Sequence, residues 1–320
     1  MRAIARAQPN IALIKYWGKR DADRNLPAVG SISITLAELY TTMCVEYDDT
    51  LVDDELIVNG HVDSAMLPRI QRCLGTVLGE QRRPMRVTSQ CNFPIAAGLA
   101  SSASAFAALT VAAGALAEQP RSIDELASLA GRASGSAARS LYGGFVELEN
   151  CAQDISVSSL TAAGDWPLQV VVAITAPGPK PVSSTEAMEV SRKTSPFFER
   201  WVQQQPQDLA VAREAIAGRD FSALAAVAEH NCLKMHSVMW GSRPPMIFWN
   251  SATLACMQTI RNLQEDGVPV FFTIDAGPQV KAVCAAEAAS QVHEALAETT
   301  GVEAVMISGL GEGAALEPAA

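Results

Sequence analysis

The sequence predicts an α+β fold whose two lobes share a continuous interface, and three observations carry that reading. Strand-like runs rich in β-branched residues cluster in the first third of the chain. Helical spacing of apolar residues dominates from Thr185 onward. No Gly/Ser/Pro linker, low-complexity tract or internal repeat separates the halves, and 320 residues are enough to bury a sizeable core without disulfide or metal staples.

Taken in order, strands are expected at residues 31–36 (SISITL), 41–47 and 56–58, the last followed by Asn59-Gly60, a dipeptide suited to a tight hairpin turn. Helical patterns follow at 66–78, 103–117 and 123–133, before 144–148 and 168–175 return to strand character. A PGPKP stretch at 177–181 interrupts regular structure and sets an expected boundary between lobes 1–177 and 178–320. Beyond it, helices are expected at 185–191, 195–204, 208–217, 221–239 and 251–265. A strand at 269–274 (PVFFTI) ends at Asp275, and a helix at 280–289 and a strand at 304–307 close the chain.

Composition excludes several classes of function. Lys+Arg 24 against Asp+Glu 34 gives a net charge of −10, and 18% charged against 49% hydrophobic residues is the balance of a folded chain without an extended polyanion-binding surface. Nucleic acid is not an expected partner. Seven cysteines without a C-x-x-C pair read as reduced thiols. The start, MRAIARAQPN, lacks the apolar core of a signal peptide, and the uncharged stretch 95–117 is mostly Ala, Gly and Ser, which reads as a loop and a buried helix. A cytoplasmic protein with no membrane association is the expectation.

Four stretches carry chemistry. In 93–104 (FPIAAGLASSAS) small residues let backbone approach a ligand and feed an Ala-rich helix, whose unpaired N–H groups and positive dipole end suit phosphate oxygens. Gly98, Ser101, Ser102 and Ser104 are its candidates, with close helix packing as the other meaning. In 10–20 (NIALIKYWGKR), Lys15 and Lys19 flank Tyr16 and Trp17, directing two ammonium groups and a phenol toward one anion, or forming a solvated basic turn with Trp17 as a packing anchor. In 134–144 (SGSAARSLYGG), Ser134, Ser136 and Arg139 can donate several hydrogen bonds to a diphosphate, although capping would also explain the serines. Lys180 with Ser183 and Ser184 opens a helix as a further anion site or as plain N-caps. Asp275 ends an apolar strand as a rigid carboxylate whose pKa burial can tune, or as a helix cap. His230 and His236 stand six apart, which does not stack two ligands on one helix face, so no protein-ligated metal is expected and any Mg²⁺ would arrive with nucleotide.

Together these motifs resemble the mevalonate diphosphate decarboxylases of the GHMP kinase superfamily. NIALIKYWGKRD, LPAVGSISITL, NFPIAAGLASSASAFAAL, SGSAARSLYGGFVE, VSSTEAM with TSPFF, HNCLKMH, FTIDAGP and SGLGEGA occur in the family's order over nearly the whole chain. The resemblance implies a two-lobed GHMP kinase-like α+β fold, with a ribosomal protein S5 domain 2-like N-terminal lobe and a ferredoxin-like C-terminal lobe, usually as a homodimer. It implies ATP- and Mg²⁺-dependent decarboxylation of (R)-5-diphosphomevalonate to isopentenyl diphosphate in isoprenoid biosynthesis, with ADP, phosphate and CO2 released. On the same resemblance, Asp275 and Lys15 are catalytic. Tyr16, Lys19, Ser134, Ser136 and Arg139 hold the substrate, and Gly98, Ser101, Ser102, Ser104, Lys180, Ser183 and Ser184 hold ATP.

Two positions depart from the family pattern. Val29 stands where L-P-x-N-x-S-x-S has Asn, and Gln279 follows D-A-G-P where Asn is more usual. Related decarboxylases take the monophosphate and other relatives only phosphorylate the 3-hydroxyl. A mevalonate 5-phosphate decarboxylase or a 3-kinase is therefore the alternative, and a silent binding module is a third reading that intact Lys15, Arg139 and Asp275 oppose.

Overall fold

The computed structural model describes residues 1–93, 101–176, 178 and 182–318. Three sheets organise them. The first has the order β16-β1-β6-β9-β7-β8, built from β1 (Arg2–Ala7), β6 (Thr41–Tyr47), β7 (Glu55–Val58), β8 (His61–Val62), β9 (Met85–Cys91) and β16 (Ala315–Leu316). The second, β11-β10-β5-β2, joins β2 (Asn10–Ile14), β5 (Ser31–Thr35), β10 (Phe145–Asn150) and β11 (Ile155–Thr161). A two-stranded ribbon of β3 (Lys19–Asp21) and β4 (Leu26–Pro27) bridges β2 to β5. The third, β13-β14-β12-β15, is antiparallel throughout and contains β12 (Gln169–Ile174), β13 (Val270–Ile274), β14 (Val280–Cys284) and β15 (Ala304–Gly309). The fold is the two-lobed α+β arrangement expected.

Local chemistry explains most elements. Asn59 and Gly60 both take positive φ, 48° and 85°, which is what a two-residue turn between β7 and β8 needs to match strand twist. Helices α1 (Leu67–Leu78), α2 (Ser101–Gly114) and α3 (Ile123–Ala133) cover the first lobe. A capping box between Ser122 and Glu125 starts α3. The uncharged stretch is explained by α2: ten of its residues, from Ala103 to Ala113, are buried, and their small side chains let the helix lie close against β1, β6 and α1. Among the described residues no helix is long and apolar enough to cross a membrane. In the second lobe α4 (Ser184–Thr194), α5 (Phe198–Gly218), α6 (Phe221–Trp240), α7 (Ser251–Glu265) and α8 (Ala289–Ala297) surround the third sheet. One buried cluster joins Ile11 and Ile34 of the second sheet, Leu209 and Val227 of α5 and α6, and Phe271 and Val283 of the third. The lobes therefore share a continuous core.

Several expectations are corrected. The helix at 280–289 is strand β14 through Cys284, followed by a 3₁₀ turn at Ala286–Ala288, and α-helix begins only at Ala289. All five residues of VKAVC are buried because the strand lies between β12 and β13 with both faces covered, and such a run has no period that separates strand from helix. The helices at 195–204 and 208–217 are one helix, α5, running through Pro206. An interior proline costs about 3 kcal/mol. Burial of Trp201 before it and of Leu209, Ala212 and Ile216 after it outweighs that cost. The expected boundary at 177 falls too late, because β12 already belongs to the third sheet, so the change of sheet lies between Thr161 and Gln169. The sequence reading places no strand at β1, β2, β3, β4, β9, β11 or β16; all five residues of β2 are buried, so it carries no alternation to read.

Candidate active site

Three strands end or pass at one point between the lobes. Lys15 follows β2, Asp275 follows β13, and Lys281 lies in β14. The Lys15 ammonium is 2.7 Å from Asp275 Oδ1 and the Lys281 ammonium 3.3 Å from Oδ2. Both lysines are 1% exposed, whereas the Asp275 side chain keeps 29% of its surface open. Burial pushes the Asp275 carboxyl up, but the two ammonium groups override it and hold it well below the usual carboxylate range. Asp275 is thus an ionised, oriented carboxylate, and burial does not tune it upward into a strong base.

The HNCLKMH stretch on α6 supports this arrangement. Asn231 accepts from the Lys15 backbone N–H at 2.8 Å, and its amide donates to Gln205 and Asp208. Gln205 in turn donates to the Lys15 and Gly30 carbonyls. Cys232 accepts from the Ile274 N–H at 3.2 Å, and His236 Nε2 lies 3.2 Å from the Ile274 carbonyl. One helix therefore sets both the end of β2 and the end of β13. Burial lowers the His236 pKa to about 3, keeping the imidazole neutral. His230, six residues earlier, is exposed.

Arg139 stands on a 3₁₀ turn at Ala137–Leu141 and is 2% exposed. It donates to Ser31 at 2.6 Å, Ser33 at 3.0 Å and Asn10 at 3.3 Å, all neutral acceptors. Among the described residues no carboxylate lies within ion-pair distance of it. Burial lowers its pKa to about 10, so it remains charged at neutrality. Lys15 and Lys281 thus flank one carboxylate, and a third buried cation, Arg139, acts on it at longer range. An interior surplus of positive charge is costly unless an anion joins it.

Tyr16, beside Lys15, has its ring centroid 6.0 Å from the Arg139 guanidinium carbon, and its buried hydroxyl has no hydrogen-bond partner among the described residues. Burial pushes that phenol up to about 12. A Cβ placed on Gly135 would fall on the Tyr16 hydroxyl, so the glycine keeps this donor in place. Ser134 and Ser136 flank Gly135 at the end of α3 and the start of the 3₁₀ turn. The Ser134 hydroxyl lies 3.5 Å from that of Ser102, at the N-terminus of α2. Lys19 reaches across to Thr185 of α4 at 3.5 Å, and burial and the nearby Arg69 lower its pKa. An apolar pocket of about 110 Å³, lined by Met43, Leu56, Val58 and Phe106, opens beside Ser101 and Ser102.

Several predicted ligands are placed differently. Gly98 and Lys180 lie outside the described residues. Ser104 is fully buried, its hydroxyl 2.7 Å from Thr41 and bonded to the Ser101 carbonyl; it ties α2 to β6 and does not face a ligand. The Ser183 hydroxyl caps α4 by accepting from the Glu186 N–H, leaving Ser184 as the first residue of the helix. Val29 packs with Trp17, Met188 and Phe198 in an apolar cluster. Gln279 bonds the Thr175 N–H and the Ala176 carbonyl at 2.6 Å each, so its longer amide ties the turn after Asp275 to the end of β12.

Lys281, Asn10, Ser31 and Ser33 were not named from sequence. A lysine inside the otherwise apolar VKAVC run was the available signal for the first, and alternating hydroxyls in SISIT for the last two.

Comparison with known proteins covers both lobes. Residues 7–160 match the diphosphomevalonate decarboxylase-like N-terminal domain, and residues 170–311 match the mevalonate 5-diphosphate decarboxylase C-terminal domain. The chain is 34% identical to the diphosphomevalonate decarboxylase of Candida albicans over 297 residues, covering 86% of this chain and 82% of that protein. The crystal structure of mevalonate diphosphate decarboxylase from Staphylococcus aureus superposes with a TM-score of 0.93 at 34% identity, covering 99% of this chain and 98% of the other. A structure described as MDDEF in complex with MVAPP, AMPPCP and magnesium gives a TM-score of 0.92 at 32% identity, covering 100% and 99%. With both of its halves matched in order and its whole length superposed, the chain belongs to the diphosphomevalonate decarboxylase family.

Proposed function

We propose that this protein carries out the ATP-dependent decarboxylation of (R)-5-diphosphomevalonate to isopentenyl diphosphate, with ADP, phosphate and CO2 as the other products. The observation that carries this reading is an ionised Asp275 held between two buried lysines, with buried Arg139 at longer range; Ser134, at the end of α3, separately contacts Ser102 at the N-terminus of α2. The buried positive charge suits a substrate with a carboxylate and a diphosphate. The helix N-terminus and its adjacent apolar pocket suit a nucleotide's phosphates and base.

A β-hydroxy acid cannot simply lose CO2, because the electrons of the breaking C–C bond need an acceptor and hydroxide leaves poorly. Asp275, held ionised, accepts a hydrogen bond from the tertiary 3-hydroxyl, orients its oxygen and takes up its proton as that oxygen bonds the γ-phosphorus and the bond to ADP breaks. Lys15 stabilises negative charge as the resulting phosphate departs. The C1–C2 electron pair then becomes the C2=C3 double bond, and C1 leaves as CO2. Arg139, Tyr16, Lys19, Ser134 and Ser136 bind the anionic ends of the substrate. Ser101 and Ser102 at the N-terminus of α2 and Ser184 at that of α4 bind the triphosphate, and the resemblance assigns Gly98, Lys180 and Ser183 to the same ligand. Mg²⁺ would enter with the nucleotide, as in the neighbour bound to AMPPCP and magnesium, and would neutralise phosphate charge there.

The substrate is decided by comparing kcat/KM for mevalonate 5-diphosphate and 5-phosphate with ATP and Mg²⁺. Preference for the diphosphate is expected, and turnover of the monophosphate alone would contradict it. Gly135→Ala should raise the KM for the diphosphate substrate about tenfold, because Tyr16 must leave its position, while the KM for ATP stays within about twofold. An unchanged substrate KM would remove Tyr16 from the binding set. The family resemblance also supports a cytoplasmic homodimer, for which light scattering on the eluted protein should give twice 33.9 kDa; a monomer mass would contradict it.

A further inference from the structure

The site holds more positive charge than the steps above use. Lys281 sits opposite Val172 of β12 and Thr273 of β13, and the Thr273 hydroxyl donates to the Ala12 carbonyl of β2. This face of the third sheet therefore meets the other lobe. Lys281 takes the carboxylate oxygen of Asp275 that Lys15 leaves, Oδ2 at 3.3 Å against Oδ1 at 2.7 Å. Lys15 alone would neutralise the aspartate. A second buried ammonium adds a desolvation cost that an apolar side chain of similar length would avoid.

We propose that Lys281 is a positioning residue: with Lys15 it clamps Asp275 by both oxygens, fixing the carboxylate's rotation and keeping it ionised where it meets the substrate hydroxyl. The proposal rests on the decarboxylase reading for its catalytic consequence, but the clamp itself is a property of the ligand-free protein. A carboxylate held by one lysine can rotate about Cβ–Cγ and accepts a proton at higher pH. Other groups facing the pair are Cys232 and His236 from α6 and, at longer range, Arg139 from the 3₁₀ turn. Burial raises the thiol and lowers the imidazole to about 3, so near neutrality the charges acting on Asp275 among the described residues are Lys15, Lys281 and, at longer range, Arg139. Burial also lowers the Lys281 pKa against the attraction of Asp275.

Lys281→Met keeps the length and removes the charge. Its kcat should fall about thirtyfold, with KM for diphosphomevalonate and ATP within about threefold. The melting temperature should be unchanged or higher, since Asp275 keeps Lys15. Lys281→Arg should restore most of the lost kcat. A kcat within twofold of the parent overturns the proposal, and so does a slower variant with lowered stability, the mark of a packing role. Carboxyl ¹³C titration of the ligand-free protein, with Asp275→Asn to assign the signal, separates the clamp from the substrate reading. Asp275 should protonate at higher pH in Lys281→Met than in the parent even if diphosphomevalonate is not turned over, and equal titration would overturn the clamp.

Discussion

Replacing Asp275 by Asn should lower kcat about a thousandfold while ATP affinity stays within about threefold. The amide preserves shape but cannot hold the hydroxyl as an anion does, and it leaves Lys15 and Lys281 without their shared counter-charge. Removing one partner from a buried ionic cluster costs about 3–5 kcal/mol, so the melting temperature should fall as well. The pH dependence separates the two losses. The folded pKa of Asp275 is depressed, so its contribution to stability is full above the unfolded value of about 3.9 and is lost as pH falls through the folded value. The stability gap between parent and variant should therefore be constant across neutral pH and close only in strong acid. Measuring single-turnover rates beside thermal unfolding checks both, and full activity in the variant would show that another group orients the hydroxyl.

The second large effect belongs to Arg139. Arg139→Ala should raise the KM for the diphosphate substrate about a hundredfold and lower kcat less than tenfold, since hydrogen bonds to charged groups contribute about 1.5–3 kcal/mol each. The same change strips donors from Ser31, Ser33 and Asn10, so it should also lower stability by about 1–3 kcal/mol. Arg139→Lys restores charge without the planar fork and should fall between the two. If KM for substrate is unchanged while stability drops, Arg139 is a strut between β5 and the 3₁₀ turn and not a ligand.

Sequence made the chemistry more legible than the scaffold. Asp275 could be found because a carboxylate that ends an apolar strand before Ala-Gly-Pro is unusual whatever the fold, and the small-residue start of α2 is equally local. What could not be read was which groups the topology brings to Asp275. Lys281 is six residues away in sequence, but only the strand assignment of 280–284 puts its ammonium on the carboxylate. An Ala-rich continuation into AAEAA favours helix locally, so the strand emerged only from its burial between β12 and β13. Ser104 went the other way. It has the same residue type as Ser101 and stands one turn later, yet α2 turns it onto Thr41. The roles of Asn231 and Gln205 are long-range as well, since they act on Lys15 from α6 and α5. Acidity, finally, belongs to the chain as a whole, at −10, while the interior of the site carries the opposite sign.

The stoichiometry of the reaction tests the central claim most directly. Purified protein with ATP, Mg²⁺ and mevalonate 5-diphosphate should release one CO2 for each ADP formed, at the same rate from the first turnovers. ADP formed without CO2 would contradict the account and make the protein a kinase of the 3-hydroxyl.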